Sequence, residues 1–457
     1  MNYKTPGVYV EEIAKFPPSV AQVETAIPAF IGHTDKGPKN EPTRISSMLE
    51  YETIFGGAKD EKTAISIKIE DTVVTANVDS TKVSPYKMYY AMQMYFANGG
   101  GPCYIVSVAD YEKAPALGTE TVAGGLWFGL KSLEREDEPT LIVFPDAEAL
   151  GADAYKLYNK ALDQAEDLKD RFVIMDVFAD ADAFRTGVNA TGLKYGAAYY
   201  PKLETVLSYS FDDKDVKIDS YKELNAAGAL VDVTMPQNEN NLAWLKSRSS
   251  ALYNQAKKEI ESKRVVLAPS SSIAGIYAKV DSTSGVWKAP ANLAISNVLA
   301  PVVKISNETQ DGLNVDAVAG KSINAIRTFT GKGTMVWGAR TLDGNSNEWR
   351  YVPVRRFFNM VEESVKKATE RFVFEPNTAN TWIRVQAMIE NFLDQQWRDG
   401  ALAGSKPEEA FYVSVGLHKT MSAQDILEGR MIIEIGMAAV RPAEFIVLRF
   451  SHKLQEA

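Results

Sequence analysis

The chain has 457 residues, 45% of them apolar and 24% charged, which is the balance of a globular protein and excludes a disordered or membrane-filling polymer. Its formal net charge of −9 argues against a nucleic-acid partner, which selects a basic face. A single cysteine, Cys103, and three scattered histidines, His33, His418 and His452, exclude an internal disulfide and a Cys/His zinc cluster within one chain. No run approaches the roughly 20 apolar residues that span a bilayer. The first residues also lack an apolar core of signal-peptide length. Synthesis in cytosol and no direct membrane insertion are therefore expected, and the length predicts two or three domains.

In chain order, Thr5–Glu12 alternates like a short strand around Val8, Tyr9 and Val10, tethered by Pro17-Pro18. Ala26–Ile31 predicts a buried strand. Ser46 is placed to cap a helix that carries Met48, Leu49 and Phe55 and stops at Gly56-Gly57. Ile65, Ile67 and Ile69 alternate with Ser66, Lys68 and Glu70, which predicts a solvent-facing hairpin inserted near 58–84. A helix over Tyr86–Asn98 feeds a strand over Cys103–Val108. Strand Thr140–Phe144, helix Ala152–Leu168 and strand Arg171–Asp176 repeat the alternation, which predicts an α/β layer with a largely buried sheet.

The polar stretch 212–241 reads as a surface excursion. Helix Leu242–Glu261 leads to strand Arg264–Ala268, broken by Pro269-Ser270-Ser271-Ser272, and the next hundred residues read as loop-rich. Then come strand Trp349–Val354, amphipathic helices Phe357–Phe372 and Thr381–Trp397, strand Phe411–Gly416, helix Ser422–Leu427 and strand Arg430–Met437. Ser422 and Asp425 have capping-box spacing. After Pro442, Phe445–Phe450 alternates as a last strand. The predicted class is mixed α/β (α+β) and multi-domain.

No motif in the chain carries catalysis. Gly320-Lys321-Ser322 lacks the glycine five residues earlier that a phosphate-binding loop requires, because position 315 is Val. Gly331–Thr334 reads as a tight turn before Met335–Trp337. Ser270–Ser272 has no nucleophile-elbow frame, and Glu11-Glu12 and Glu408-Glu409 lie on solvated segments. A soluble enzyme that binds a phosphorylated ligand at 320–334 is the alternative reading. The helix that bears Arg355, Arg356, Glu363, Lys366, Lys367 and Arg371 is either a charged outer face with i,i+4 pairs or a docking face for a charged partner.

Several segments in a fixed order resemble the contractile tail sheath proteins of bacteriophages and of extracellular contractile injection systems. They are Pro6–Glu12; Ile27–Gly32 with Lys36-Gly37-Pro38, then Phe55-Gly56; Ala274-Gly275, Asp281 and Gly285–Asn292; Ile323–Arg327; Val336–Leu342; Phe374-Glu375-Pro376-Asn377; and Pro442–Phe445. The resemblance spans most of the chain except the stretches near 58–84 and 212–241.

The resemblance implies a structural subunit with no catalytic residue and no cofactor. Such subunits form a helical homopolymer of six-fold rings around an inner tube protein and contract to drive the tube through a target envelope. It implies an exchange arm at 1–20, outer α/β domains over 21–320, an inner tube-facing domain over 321–441 and a second exchange arm over 442–457. Strand exchange between subunits would use Val8, Tyr9, Val10, Phe445, Ile446, Val447, Leu448 and Phe450. Arg355, Arg356, Glu363, Lys366, Lys367 and Arg371 would dock the tube. Baseplate and terminator or cap proteins, and sheath paralogues, complete the implied partners. The particle would be a phage tail or an extracellular or cell-associated injection device.

Overall fold

A computed structural model describes residues 19–178, 180–236 and 239–448. The chain forms two compact units. The larger holds 24–359 with 441–448, and the smaller holds 19–23 with 360–440.

The larger unit is organised by a nine-stranded sheet. Six of its strands lie parallel, in the order Cys103–Ala109, Pro28–His33, Leu141–Val143, Phe172–Asp176, Gly196–Tyr200 and Ile323–Phe329. Antiparallel Thr43–Ile45 extends one end, and Gly333–Trp337 with Leu293–Ala294 extends the other. Every residue of Pro28–His33 and Cys103–Ala109 is buried, because helices cover both faces. Leu126–Ser132 and Asp153–Leu168 supply one apolar layer; Met88–Ala97 and Ser270–Ser284 supply the other. The α/β alternation legible in the sequence is thus the core of the fold.

Four sequence expectations are corrected. Ser47 caps the Met48–Phe55 helix by accepting from the Glu50 amide, while Ser46 donates to the Glu50 carboxylate. Pro269–Ser272 does end strand Arg264–Leu267, but the stretch after it, expected to be loop-rich, opens with a helix over Ser270–Ser284 whose face of Ile273, Ala274, Ile276, Tyr277 and Val280 is buried. Trp349–Val354 is not a strand: the Val352–Thr369 helix begins there. The hairpin Ile65–Glu70 and Val73–Val78 is not solvent-facing on its isoleucine side. Lys217–Leu224, from the supposed excursion, pairs parallel to it and Leu230–Asp232 extends the sheet to four strands. Helices Leu242–Arg248 and Ser250–Glu261 then bury Ile65, Ile67, Ile69, Ile218 and Tyr221. The two stretches that depart from the family resemblance therefore form one subdomain.

The boundary expected at 320 falls inside the larger unit, since Ile323–Phe329 pairs with Gly196–Tyr200 and, through a turn with Gly331 and Gly333 at φ 77° and 81°, with Gly333–Trp337.

Asp176 ends its strand fully buried and accepts from the Ser270 amide at 2.8 Å, at the start of the Ser270–Ser284 helix. Burial pushes this carboxyl up to about 7, only partly offset by the hydrogen bonds from Ser270. A carboxyl raised on folding contributes stability that is full below the ordinary carboxylate range and lost as pH rises through about 7. Asp176→Asn keeps an acceptor for Ser270 without the charge. The thermal midpoint of the wild-type chain is expected to fall more between pH 5 and pH 8 than that of the variant. Equal falls by differential scanning fluorimetry would refute the assignment.

The smaller unit packs the Ala379–Arg398 helix, through Val385, Met388, Ile389, Phe392 and Leu393, against strand Phe411–Val415 and its neighbours. Its Ala423–Leu427 helix carries the capping box expected from Ser422 and Asp425.

Candidate functional site

In the smaller unit, Phe411–Val415 pairs antiparallel with Ile433–Met437, Val413 opposite Ile435. Val413 and Val415 are buried, while Tyr412 is exposed. No third strand joins this pair among the described residues. A two-stranded sheet backed by one helix leaves backbone donors and acceptors on its outer edges, a template for a strand from elsewhere.

The larger unit ends in a tail without regular structure. Glu444 is clamped: Arg340 donates to its carboxylate at 2.6 and 2.9 Å, Asn314 at 2.8 Å and the Tyr351 hydroxyl at 3.1 Å. Burial pushes the Glu444 carboxyl up, but the hydrogen bonds from Arg340 and Asn314 and the guanidinium charge outweigh it, so its pKa lies below the usual value. Arg340 is itself buried, its amide held by Asn324 at 2.8 Å. This clamp fixes where the tail leaves the body. Directly beyond it, Phe445, Ile446, Val447 and Leu448 are 71%, 80%, 76% and 73% exposed and belong to no strand. Four consecutive apolar side chains in water forgo about 1.5–3 kcal/mol each that burial would supply. Val8, Tyr9, Val10 and Phe450, the other residues expected to exchange, lie outside the described residues.

The charged set expected to dock a partner does not form one face. Arg355 is buried, bonds Asn359 at 2.8 Å and lies 4.2 Å from the Trp349 ring centroid. Arg356 is buried against Asp281 at 2.5 Å, donates to the Thr25 carbonyl at 2.9 Å and lies 4.5 Å over Tyr277. Both arginines are committed to the larger unit, so their availability for docking is corrected. In the smaller unit, Glu363 is buried and pairs with Lys366 at 3.1 Å and Lys367 at 3.6 Å, so its availability for docking is corrected too, while the two lysines reach solvent. Arg371 lies 2.7 Å from the Met388 sulfur.

The glycine-rich alternative loses its cation. Lys321 donates to the carbonyls of Arg185 and Val188, each at 2.5 Å, and Ser322 donates to the Asn314 carbonyl at 2.6 Å. These residues tie loops together.

One exposed residue, named in the sequence only as part of a resemblance segment, was given no role there. Phe374 has φ +69° and is fully exposed. A left-handed backbone at a non-glycine residue costs about 1–2 kcal/mol. The signal was the pair Val373-Phe374 set before the Glu375-Pro376-Asn377 turn, where a polar residue or glycine is usual.

Open strand edges on one unit and an apolar tail leaving another are the marks of an assembly-forming α/β protein. Comparison with known proteins agrees. A model of the phage tail sheath C-terminal domain matches residues 345–453. The anti-feeding prophage helical sheath in its contracted state is 31% identical, with 99% of this chain and 100% of that one covered and a TM-score of 0.65. A chain of the anti-feeding prophage baseplate structure is 33% identical, with 99% and 100% covered and a TM-score of 0.66. The tail sheath protein of Enterobacteria phage T4 is 24% identical over 336 residues, 72% of this chain and 47% of that protein. The chain spans about half the length of the curated relatives it matches. It belongs to the contractile tail sheath family, whose members are structural proteins.

Proposed function

We propose that this protein is a sheath subunit that polymerises around an inner tube and contracts to drive that tube through a target envelope. The observation that carries the reading is the run Phe445–Leu448, held out by the Glu444 clamp with its apolar side chains in water. A neighbouring copy's Phe411–Val415 and Ile433–Met437 pair offers edges such a tail can extend. The first residues, including Val8, Tyr9 and Val10, serve as a second exchanged strand. The smaller unit faces the tube, where Lys366, Lys367 and Arg371 remain the docking candidates.

The partners are other copies in six-fold rings, the inner tube protein, baseplate and terminator or cap proteins, and sheath paralogues. The subunit is made in the bacterial cytoplasm and joins a phage tail or an extracellular injection particle. A head-to-tail exchange propagates along a lattice, as a tube requires. Work is stored as the difference between two packings of the same subunits, with the exchanged strands holding copies together during the change.

Electron microscopy of purified chain tests the reading. Long striated tubes are expected, and a variant lacking residues 1–16 is expected to stay folded without forming them. Tubes of normal length from that variant would refute the exchanged N-terminal strand.

A further inference from the structure

We propose that Phe374 is an anchor that inserts into a groove on a second copy of this chain, an inference that rests on the polymer reading above. The knob stands on a loop that is locked from behind. Glu375 bonds the Phe372 carbonyl through its amide at 3.0 Å, and the Thr381 hydroxyl donates to the Pro376 carbonyl at 2.8 Å. Trp382 donates through Nε1 to Asn377 at 2.6 Å, and Asn377 donates to the Arg430 carbonyl at 3.0 Å. Such a loop holds the ring in water on a left-handed backbone instead of letting it collapse onto the unit. An aromatic side chain presented rigidly, with little left to lose in entropy, is the chemistry of an interface hot spot.

The larger unit carries a receptor of matching chemistry. A groove of about 560 Å³ is walled by Ala289, Ala291, Trp337 and Tyr351 and by Phe445 of the tail. Because Pro442, Ala443 and the clamped Glu444 line it too, the groove reaches the root of the exchanged run and adjoins the surface assigned to pairing between copies. Knob and groove are different patches of the chain, so their contact is head-to-tail and propagates rather than closing a pair.

The test places p-benzoylphenylalanine at position 374, irradiates assembled tubes and maps the cross-links by mass spectrometry. Links to 289–291, 311 or 337 of another copy are expected. Links within one chain, or to a different protein such as the tube, overturn the proposal. In parallel, Phe374→Gly is expected to raise the critical concentration for tube formation at least tenfold. The monomer's thermal midpoint is expected to stay unchanged or rise, since glycine adopts φ +69° without a Cβ clash. Unchanged assembly of Phe374→Gly overturns the anchor too. Tubes whose cross-links fall elsewhere leave the sheath reading standing, whereas a wild-type chain that never polymerises overturns both.

Discussion

Phe445→Asp is expected to abolish tube formation at concentrations where the wild-type chain assembles fully, while the monomer's thermal midpoint stays within a degree or two. The side chain is 71% exposed in the single chain, so its replacement removes little from the folded subunit. In an exchanged strand it would be buried, and the variant would forgo about 2–3 kcal/mol of apolar burial. An aspartate enclosed there without a partner adds a desolvation cost of several kcal/mol. Each 1.4 kcal/mol is tenfold in association, so two or more orders of magnitude in critical concentration are expected. Sedimentation and fluorimetry on the same samples separate the two effects. Loss of monomer stability equal to the loss of assembly would place Phe445 in the subunit's own core.

Arg356→Met is expected to show the opposite pattern. Its guanidinium bonds Asp281 through Nη2 at 2.5 Å and Nη1 at 3.1 Å, and the Thr25 hydroxyl donates to the same carboxylate at 2.5 Å. The Arg356 and Asp281 side chains are 3% and 6% exposed. Removing one partner of a buried pair strands the other charge and costs about 3–5 kcal/mol. Urea unfolding of unassembled chain is expected to show that loss, with much of it recovered in the double variant Arg356→Met, Asp281→Leu. Recovery follows because an apolar pair avoids the stranded carboxylate. A loss under about 1 kcal/mol would show that the pair is solvated like an ordinary surface bridge.

What the sequence showed and hid divides by distance along the chain. Most apolar strands and helices from Pro28 to Asp176 were legible, because each pattern is complete within a short run, whereas strand Thr43–Ile45 and helix Leu126–Ser132 were not read. The pairing of Ile65–Glu70 with Lys217–Leu224 was hidden, since no local pattern announces a parallel neighbour so far away. Pro269-Ser270-Ser271-Ser272 resembled a break, yet proline is tolerated where a helix starts, and the following turns bury an apolar face. Arg355 and Arg356 looked like surface charge because Trp349, Asp281 and Tyr277, which receive them, lie on other elements.

The segments that carry the family resemblance also gain a physical meaning. Arg340 binds Glu444 and Asn324 holds the Arg340 backbone, so three separated motifs meet in polar contacts, while Asp281 of another receives Arg356. The run after Glu444 alternates in the sequence as a strand does, yet residues 445–448 form no strand in the single chain, and their exposure is what points to a partner.

Electron cryo-microscopy of assembled tubes tests the central claim most directly. In every ring, residues 445–448 of one copy are expected as a β-strand hydrogen-bonded to the Phe411–Val415 and Ile433–Met437 sheet of a different copy. A tail that pairs with its own chain, or that stays unpaired in a well-ordered tube, would contradict the account.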